Sequence, residues 1–395
     1  MTISKKMAAF IEKSSWIRKM FEAGARLKAE HGEKNIFDFS LGNPNLEPPE
    51  EFHRRLSRLA GENRTGVHAY MPNAGFPDTR GAVADFVSRE QETELSSEEI
   101  IMTCGAAGGL NVILKSILDP GDEVITPSPY FVEYGFYADN HGGRLVPVNS
   151  RPDFSLDENA ILSAVSEKTR AVLINSPNNP SGRVYSAEQL SRIGQGLKKA
   201  SEKHGRTIYL VSDEPYRKIV YDGITVPPIF PYYENSIITT SYSKDLSIPG
   251  ERIGFIAINP AAKDKRALFD AMVLANRILG FVNAPALMQR VVGGLQGAHV
   301  DVGLYRKKRD LLCDGLASAG YRFTRPEGAF YLFPEAPGGD DVAFVKALRD
   351  ELILAVPGRG FGAPGYFRLS YCVPDETIEK AMPGFARAIR RITAT

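Results

Sequence analysis

The sequence predicts an α/β protein with a mainly parallel sheet sandwiched by helices in a large domain, and a smaller α+β domain built from both chain ends. Up to about Pro285, short β-branched runs alternate with helical stretches, which favours a parallel sheet covered on both faces. Beyond Pro285, helices are mixed with a few strands. Because 395 residues exceed what one hydrophobic core usually supports, we expect two domains. We assign residues 46–285 to the large domain, and residues 1–45 and 286–395 to the small domain.

The N-terminal segment is predicted to be a helix followed by extended chain. Apolar residues at helical spacing predict a helix from about Ile3 to His31, and Gly32 is a typical helix stop. The next stretch, NIFDFSLGNPNLEPP, is rich in Gly, Asn and Pro, which do not continue a helix.

Seven strand-like runs then follow in the large domain: EEIIMT, DEVITP, GRLVPV, RAVLINS, TIYLVSD, SIITTS and RIGFIAIN. Helical stretches such as AAGGLNVILKSIL and AEQLSRIGQGLKKASEKHG separate most of them. After Pro285, a long helical stretch begins at Ala286 and runs through YRKKRDLLCDGLASAG. The small domain is completed by GAFYLFPE, DDVAFVKALRDELILAVPG, YFRLSYC and a last helix, DETIEKAMPGFARAIRRI.

Composition excludes several classes of function. Lys plus Arg (48) nearly balance Asp plus Glu (47), so the chain has no basic field for nucleic acid or anionic lipid. Three scattered cysteines, Cys104, Cys313 and Cys372, fit a reducing compartment and support neither a disulfide framework nor a zinc site. The N-terminus lacks the apolar stretch of a signal peptide, and no apolar run reaches membrane-spanning length. We therefore expect a cytoplasmic protein without nucleic-acid or membrane partners.

Candidate functional residues follow directly after the predicted strands, because ligands of a parallel sheet collect outside the carboxyl ends of its strands. After EEIIMT, the small residues Gly105, Ala106 and Ala107 open a helix whose exposed backbone N–H groups suit a phosphate. After RAVLINS, Asn179 lies in a stiff turn and could give a directed hydrogen bond. Each also has a structural alternative, a tight turn without a ligand.

Charged residues follow the next two strands. Asp213 ends a very apolar strand, where a poorly solvated carboxylate requires a cation such as a protonated heterocyclic nitrogen, and Tyr216 comes three residues later. After SIITTS, Lys244 is an amine near low-dielectric walls and another cation, a setting that makes it a nucleophile able to form a Schiff base. Arg252 could bind phosphate bidentately. The alternatives are a turn-capping aspartate and ordinary surface charges.

Together these residues match the separate requirements of pyridoxal 5′-phosphate. The sequence moreover resembles, over essentially its whole length, the class I/II aminotransferases of the aspartate-aminotransferase fold (fold type I). SPNNPSG is similar to that family's Asn-Pro-[Thr/Ser]-Gly turn, SDEPY to its Asp-x-x-Tyr, and SYSKDLSIPGER to its Ser-x-x-Lys-(x)7-Arg box.

The resemblance implies a role for each matching residue. Lys244 would form the Schiff base with the cofactor and later shuttle the substrate α-proton. Asp213 would keep the pyridine nitrogen protonated, and Asn179 and Tyr216 would hold the ring oxygen. The phosphate would be held by the residues after two strands and the start of a helix: Ser241, Arg252 and the Gly105-Ala106-Ala107 backbone.

Further matches concern the ring, the partner subunit and the substrate. Phe131 of SPYFVEY matches the aromatic residue that stacks on the ring, with Tyr130 as the alternative. Tyr70 matches a tyrosine that reaches the phosphate of the neighbouring subunit, so the resemblance implies a homodimer. Arg368 and the Gly42 backbone match contacts to the substrate α-carboxylate, a site that Asn179 borders. GAFYLF, with Phe330 and Tyr331, would line the substrate pocket.

Some positions depart from the commonest family pattern. Ala107 stands where a Ser or Thr hydroxyl often assists the phosphate, so that anchor rests more on Ser241 and Arg252. Leu246 and Ser247 replace a frequent Phe-Gly after the lysine, which affects the packing of the loop rather than its chemistry.

The sequence therefore predicts a homodimeric aminotransferase that moves an amino group from an L-amino acid to a 2-oxo acid through Lys244. The alternatives are a carbon–sulfur β-lyase of the same fold, a non-catalytic sensor that binds the cofactor, and the effector domain of a transcriptional regulator. About forty residues precede the large domain, too few for a helix-turn-helix module of such a regulator.

Overall fold

A computed structural model describes residues 2–13, 24–63 and 65–393 of the chain. Its strands, in chain order, are β1 (Phe37–Asp38), β2 (Ile100–Thr103), β3 (Glu123–Ser128), β4 (Arg144–Asn149), β5 (Thr169–Asn175), β6 (Tyr209–Asp213), β7 (Ser236–Ser241), β8 (Gly254–Ile258), β9 (Tyr331–Leu332), β10 (Ile353–Leu354), β11 (Val356–Pro357) and β12 (Phe367–Ser370). All seven strand-like runs of the predicted large domain correspond to strands.

The helices are α1 (Lys5–Lys13), α2 (Glu50–Ala60), α3 (Pro77–Glu90), α4 (Gly105–Ile117), α5 (Glu133–Asn140), α6 (Glu158–Ser163), α7 (Ala187–His204), α8 (Lys265–Ile278), α9 (Ala286–Gly293), α10 (Val302–Ser318), α11 (Asp341–Asp350) and α12 (Asp375–Thr393). Residues 24–31 are also helical, and this helix ends before Gly32, whose φ is +82°, as predicted. The middle of the predicted N-terminal helix, residues 14–23, lies outside the described part of the chain.

Strands β2 to β8 form one sheet in the order β2-β8-β7-β6-β5-β3-β4. Only β8 runs antiparallel to its neighbours, β2 and β7, so the sheet is mainly parallel, as predicted. In the centre of the sheet, Asn175 at the end of β5 lies opposite Asp213 at the end of β6, and Asp213 lies opposite Thr239 of β7. The carboxyl ends of three neighbouring strands therefore meet at one edge.

Helices cover this sheet on both faces. Alternate strand residues point to opposite faces: Val172, Leu210 and Ile238 belong to one buried cluster, and the neighbouring Leu173 and Val211 to the other. Helices α2, α3, α6, α7 and α9 contribute to the first cluster, and α4, α5 and α8 to the second. Both faces are buried, which explains why these strands are continuous apolar runs rather than alternating ones.

A second core holds the remaining elements together. Strand β1 pairs with β10, strands β11, β12 and β9 form a small antiparallel sheet, and α10, α11 and α12 pack on them. Residues near both chain ends, such as Phe39 and Phe385, share this core. The exact domain division at residues 45 and 285 stays a prediction.

The expected long helical stretch after Pro285 is broken into α9 and α10. Its break lies at Gly293 and Gly294, and Gly297 has a φ of +86°, a backbone conformation outside the helical region. Among the described residues, no helix is both long enough and apolar enough to cross a membrane.

Candidate active site

A cavity of about 350 Å³ opens at the carboxyl edge of the sheet. Most of the residues singled out in the sequence line it: Gly42, Ala106, Ala107, Phe131, Asn179, Asp213, Tyr216, Ser241, Lys244, Arg252 and Arg368. Gly105 does not line the cavity itself but lies against Arg252, which does. Tyr70 does not line it, and its side chain is 88% exposed. Residues separated by more than 300 positions in the chain therefore meet around one space.

Lys244 follows β7 and is partly buried. Its Nζ donates a hydrogen bond to the carbonyl oxygen of Gly42 over 2.8 Å. Within the described ranges, no carboxylate forms an ion pair with it. Burial lowers the pKa of Lys244 to about 8; the nearby Cys372 opposes this shift, whereas the charges of Arg368 and Arg252 reinforce it. Near neutral pH a fraction of this amine is therefore unprotonated and nucleophilic.

Asp213 ends β6 with one of its carboxyl oxygens unsatisfied. Tyr134 Oη donates to Asp213 Oδ2 over 2.6 Å, while Oδ1 is buried and has no hydrogen-bond partner in the structure. Burial raises the pKa of Asp213 to about 7. The hydrogen bond from Tyr134 lowers this pKa, and the charge of Glu214 makes a smaller contribution that raises it. A cationic N–H donor at Oδ1 would satisfy this atom and return the pKa to its ordinary range.

Asn175 and Tyr134 are site residues that the sequence reasoning missed. Asn175 Nδ2 donates to the Asp213 carbonyl, and its Oδ1 accepts from the Asn179 backbone N–H over 2.7 Å, so it fixes both neighbours. It is the last residue of β5, whereas the candidate residues were expected directly after the strands. Tyr134 lies three residues after Phe131, the helical spacing that brings two side chains to one face and that could have revealed it.

Arg368, on β12 of the small sheet, is a buried guanidinium without a carboxylate partner in the described part of the chain. Its Nη1 donates to Asn179 Oδ1 over 3.1 Å and its Nη2 to the Ser40 carbonyl over 2.7 Å, whereas its Nε is buried with no partner. The rings of Tyr331 and Phe361 lie 4.7 and 4.8 Å from its Cζ. A buried cation held in this way is prepared for an anionic ligand, because an unpaired buried charge is costly.

Two buried tyrosines close the cavity beside Lys244. The hydroxyl groups of Tyr216 and Tyr331 are 2.9 Å apart, and burial raises the pKa of both phenols, that of Tyr331 to about 12. Gly42 lies against the Tyr331 hydroxyl, which would be 1.9 Å from a Cβ atom added at that position. Only glycine therefore leaves room for this contact.

The start of α4 and Arg252 form the polar end of the cavity. Gly105 has a φ of +71°, and an added Cβ would lie 2.9 Å from Arg252 Nη2, so the helix start and the guanidinium are in close approach. Arg252 itself has a left-handed φ of +51°, and its Nη1 donates to the Pro249 carbonyl. Ser241 ends β7 beside them. Backbone N–H groups, a hydroxyl and a guanidinium are together a suitable set of donors for a phosphate.

The aromatic wall is formed by Phe131 rather than by Tyr130. Phe131 lines the cavity and makes an edge-to-face contact with Tyr134, with ring centroids 5.6 Å apart. The backbone N–H of Tyr130 instead donates to the Phe361 carbonyl, and its ring lies beside Gly362. Of the two candidates, only Phe131 is in position to face a ring in this cavity.

Comparisons with known proteins show the family of this chain. The model of the family "Aminotransferase class I and II" matches residues 34–384. The aspartate/prephenate aminotransferase of Thermus thermophilus is 34% identical over 368 residues, 90% of this chain and 92% of that protein. A probable aspartate aminotransferase of Methanocaldococcus jannaschii is 30% identical over 88% of this chain and 92% of its own length.

Solved structures of aminotransferases also superpose on this chain. An aminotransferase from Eubacterium rectale superposes with a TM-score of 0.95 at 39% identity and covers 99% of both chains. A mutant of Thermus thermophilus aspartate aminotransferase superposes with a TM-score of 0.86 at 29% identity over 98% of this chain and 100% of that one. The motifs around Asn179, Asp213 and Lys244, the fold and these matches together establish that the chain belongs to the class I and II aminotransferases.

Proposed function

We propose that this aminotransferase binds pyridoxal 5′-phosphate and moves an amino group from an L-amino acid to a 2-oxo acid at the cavity around Lys244. One observation carries the proposal. A buried amine, Lys244 Nζ, shares one cavity with two residues that have a buried, unpartnered polar atom, Asp213 Oδ1 and Arg368 Nε. The amine of Lys244 suits the aldehyde of the cofactor, the Asp213 oxygen suits its protonated ring nitrogen, and the Arg368 guanidinium suits the carboxylate of the substrate.

The residues present fit the cofactor. Asp213 Oδ1 would accept a hydrogen bond from the pyridinium N–H, and Phe131 would pack on the ring. Asn179 and Tyr216 would form hydrogen bonds with the oxygen substituent of the ring. Support for this set comes from the orphaned Asp213 oxygen and from the position of the other residues around the same cavity. The phosphate would lie among Ser241, Arg252 and the first turn of α4, where Gly105 allows the close approach of Arg252.

When bound, pyridoxal 5′-phosphate supplies an aldehyde carbon that amines attack and an electron-poor ring that stabilises negative charge on the adjacent carbon. The chain supplies the proton transfers. With a pKa of about 8, Lys244 Nζ can take a proton as a general base and return it as a general acid near neutral pH. The Gly42 carbonyl accepts a hydrogen bond from this Nζ, and Asp213 would provide the buried negative charge that keeps a proton on the ring nitrogen of the cofactor.

The family match and the relatives reported above support transamination over the β-lyase and cofactor-storage alternatives, since these relatives are named aminotransferases. The cysteines of the described chain are free, in keeping with a reducing compartment, and we propose the cytoplasm.

Arg368 is proposed to bind the substrate α-carboxylate. A spectroscopic titration of the cofactor-loaded protein with single amino acids, in the absence of a 2-oxo acid, should show conversion of the cofactor to its amine form. In Arg368→Gln, the amino acid concentration for half conversion should rise roughly a hundredfold, because two charge-assisted hydrogen bonds are lost. Simple amines without a carboxylate serve as the matched control and should bind wild type and variant alike. An equal response of both proteins to amino acids would contradict this role, and a panel of donors without any conversion would contradict the proposed function.

We also propose a homodimer in which Tyr70 contacts the cofactor phosphate of the neighbouring subunit. Its 88% exposed ring and its position outside the cavity of its own chain support this proposal. Tyr70→Phe should weaken cofactor binding about tenfold, since one hydrogen bond to a charged group is lost. Mixing Tyr70→Phe with inactive Lys244→Ala chains should then restore activity at limiting cofactor, because each mixed dimer contains one site with both wild-type residues. Activity no greater than the sum of the two separate proteins would contradict a shared site.

A further inference from the structure

A second cavity, of about 460 Å³, lies between α2, the start of α3 and α9. None of the residues that line it lines the candidate active site. Three of them are arginines: Arg55 and Arg58 on α2, and Arg290 on α9. We call this space the arginine cavity.

Arg290 is held in place without an anionic partner. Its guanidinium lies over the ring of Phe76, with Cζ 4.6 Å from the ring centroid. Its Nη1 is buried and has no hydrogen-bond partner, and no carboxylate of the described chain forms an ion pair with it. A stacked guanidinium with a free buried N–H is a donor that still requires an acceptor.

Arg55 is fixed beside it. Its Nε and Nη2 donate to the Arg290 carbonyl over 3.2 and 3.1 Å, near the carboxyl end of α9. Gly294 makes this position possible, because an added Cβ would lie 2.0 Å from Arg55 Cζ. Burial and the charge of Arg58 both lower the pKa of Arg55, so positive charge is concentrated here rather than neutralised. Over the described residues, no carboxylate pairs with Arg55.

Two carboxylates also border the arginine cavity. Glu62 is 3.4 Å from Arg58, and Asp78 lies in the first turn of α3. Three cations therefore face two anions, and two of the cations, Arg55 and Arg290, form no ion pair with a carboxylate among the described residues. The start of α3 adds backbone N–H groups, since Phe76 at its N-cap provides no side-chain cap.

We propose that the arginine cavity binds a multivalent oxyanion of the phosphate type, at a site separate from the amino-transfer site. Guanidinium groups bind phosphate oxygens through paired N–H donors, which a planar, already oriented arginine offers at little entropic cost. Arg290 and Arg55 are oriented before any ligand arrives, and Arg58, whose side chain is 60% exposed, can close on the anion from the solvent side. The first turn of α3 completes the set of donors.

The test is calorimetric titration of the cofactor-loaded protein with inorganic phosphate and with pyrophosphate, at constant ionic strength in chloride. The wild type should show saturable binding, and Arg290→Gln and Arg58→Gln should each weaken it about tenfold, the loss expected for one charge-assisted interaction. Arg54→Gln is the matched control, because Arg54 lies on the same helix, pairs with Glu51 and does not line the arginine cavity. Its affinity should equal that of the wild type.

Non-saturable binding in the wild type, or equal affinities in all four proteins, would overturn the proposal. Loss of binding in Arg252→Gln but not in Arg290→Gln would also overturn it, because the anion would then occupy the active site. If circular dichroism shows that Arg290→Gln does not fold, the proposal is tested with Arg58→Gln, because Arg58 is exposed. The outcome is independent of the proposed function, since binding of phosphate at the arginine cavity is measured directly and requires no amino transfer, and none of the residues that line this cavity lines the candidate active site.

Discussion

Replacing Lys244 with alanine should abolish amino transfer. A positioned general base contributes about 10²–10⁴-fold in rate, and Lys244 is also the one lysine that lines the candidate site in the described structure. The loss should appear both in steady-state turnover with a 2-oxo acid acceptor and in the single half-reaction with an amino donor, because the same Nζ serves both. Overall structure should be unchanged, since removal of a buried amine with a lowered pKa removes an unfavourable burial of charge.

The matched control is Lys198→Ala, which removes an exposed lysine of α7 and should leave turnover within twofold of wild type. Borohydride treatment of the cofactor-loaded wild type should place a stable label on the peptide that contains Lys244, and on no peptide of the alanine variant. Turnover of Lys244→Ala above a tenth of the wild-type value, or a borohydride label at another lysine, would contradict the catalytic role of Lys244.

Replacing Asp213 with asparagine should destroy activity and at the same time stabilise the cofactor-free protein at alkaline pH. The pKa of Asp213 in the folded chain is about 7, above its ordinary value of 3.8, because its carboxylate is buried. The folded state therefore holds this proton more tightly than the unfolded state does. The stability that the protonated group contributes is complete below about pH 4 and is lost as the pH rises to about 7.

The size of this loss follows from the shift, and is about 4 kcal/mol at pH 8. Asparagine has no charge to bury, and its side-chain oxygen can still accept from Tyr134. We expect Asp213→Asn to be more stable than the wild type at pH 8 by a few kcal/mol, and nearly equal to it at pH 4. Urea unfolding of the two cofactor-free proteins at both pH values measures this difference.

With the cofactor present, the order of stability of the wild type and Asp213→Asn should reverse. The wild type should gain a pairing between Asp213 and a cationic ring N–H that the variant lacks. Breaking such a buried pair costs about 3–5 kcal/mol, or two to four orders of magnitude in rate. Asp270→Asn is the control, because this exposed aspartate of α8 pairs with Arg266 at the surface. It should show neither effect. A variant of Asp213 that is less stable than the wild type at pH 8, or active without loss, would contradict the buried-charge account.

Local sequence patterns were sufficient for the main architecture. Continuous apolar runs such as RAVLINS and TIYLVSD predicted buried strands because both faces of the sheet are covered, and the position of Asp213 and Lys244 just after such strands predicted their meeting at one edge. The break between α9 and α10 was not foreseen, although Gly293 and Gly294 mark it, because helical periodicity continues on both sides.

Tertiary structure alone decided how the charges of the site are held. Tyr134 and Asp213 are 79 residues apart, Arg368 is 189 residues from Asn179 and 328 from Ser40, and their hydrogen bonds depend on the packing of two separate cores. The sequence by itself determined which residues follow which strands, and by its motifs the family. Which oxygen of Asp213 stays free, and which donors of Arg368 remain for a ligand, follow from long-range packing, because hydrogen-bond partners and burial are properties of neighbours in space and not of neighbours in the chain.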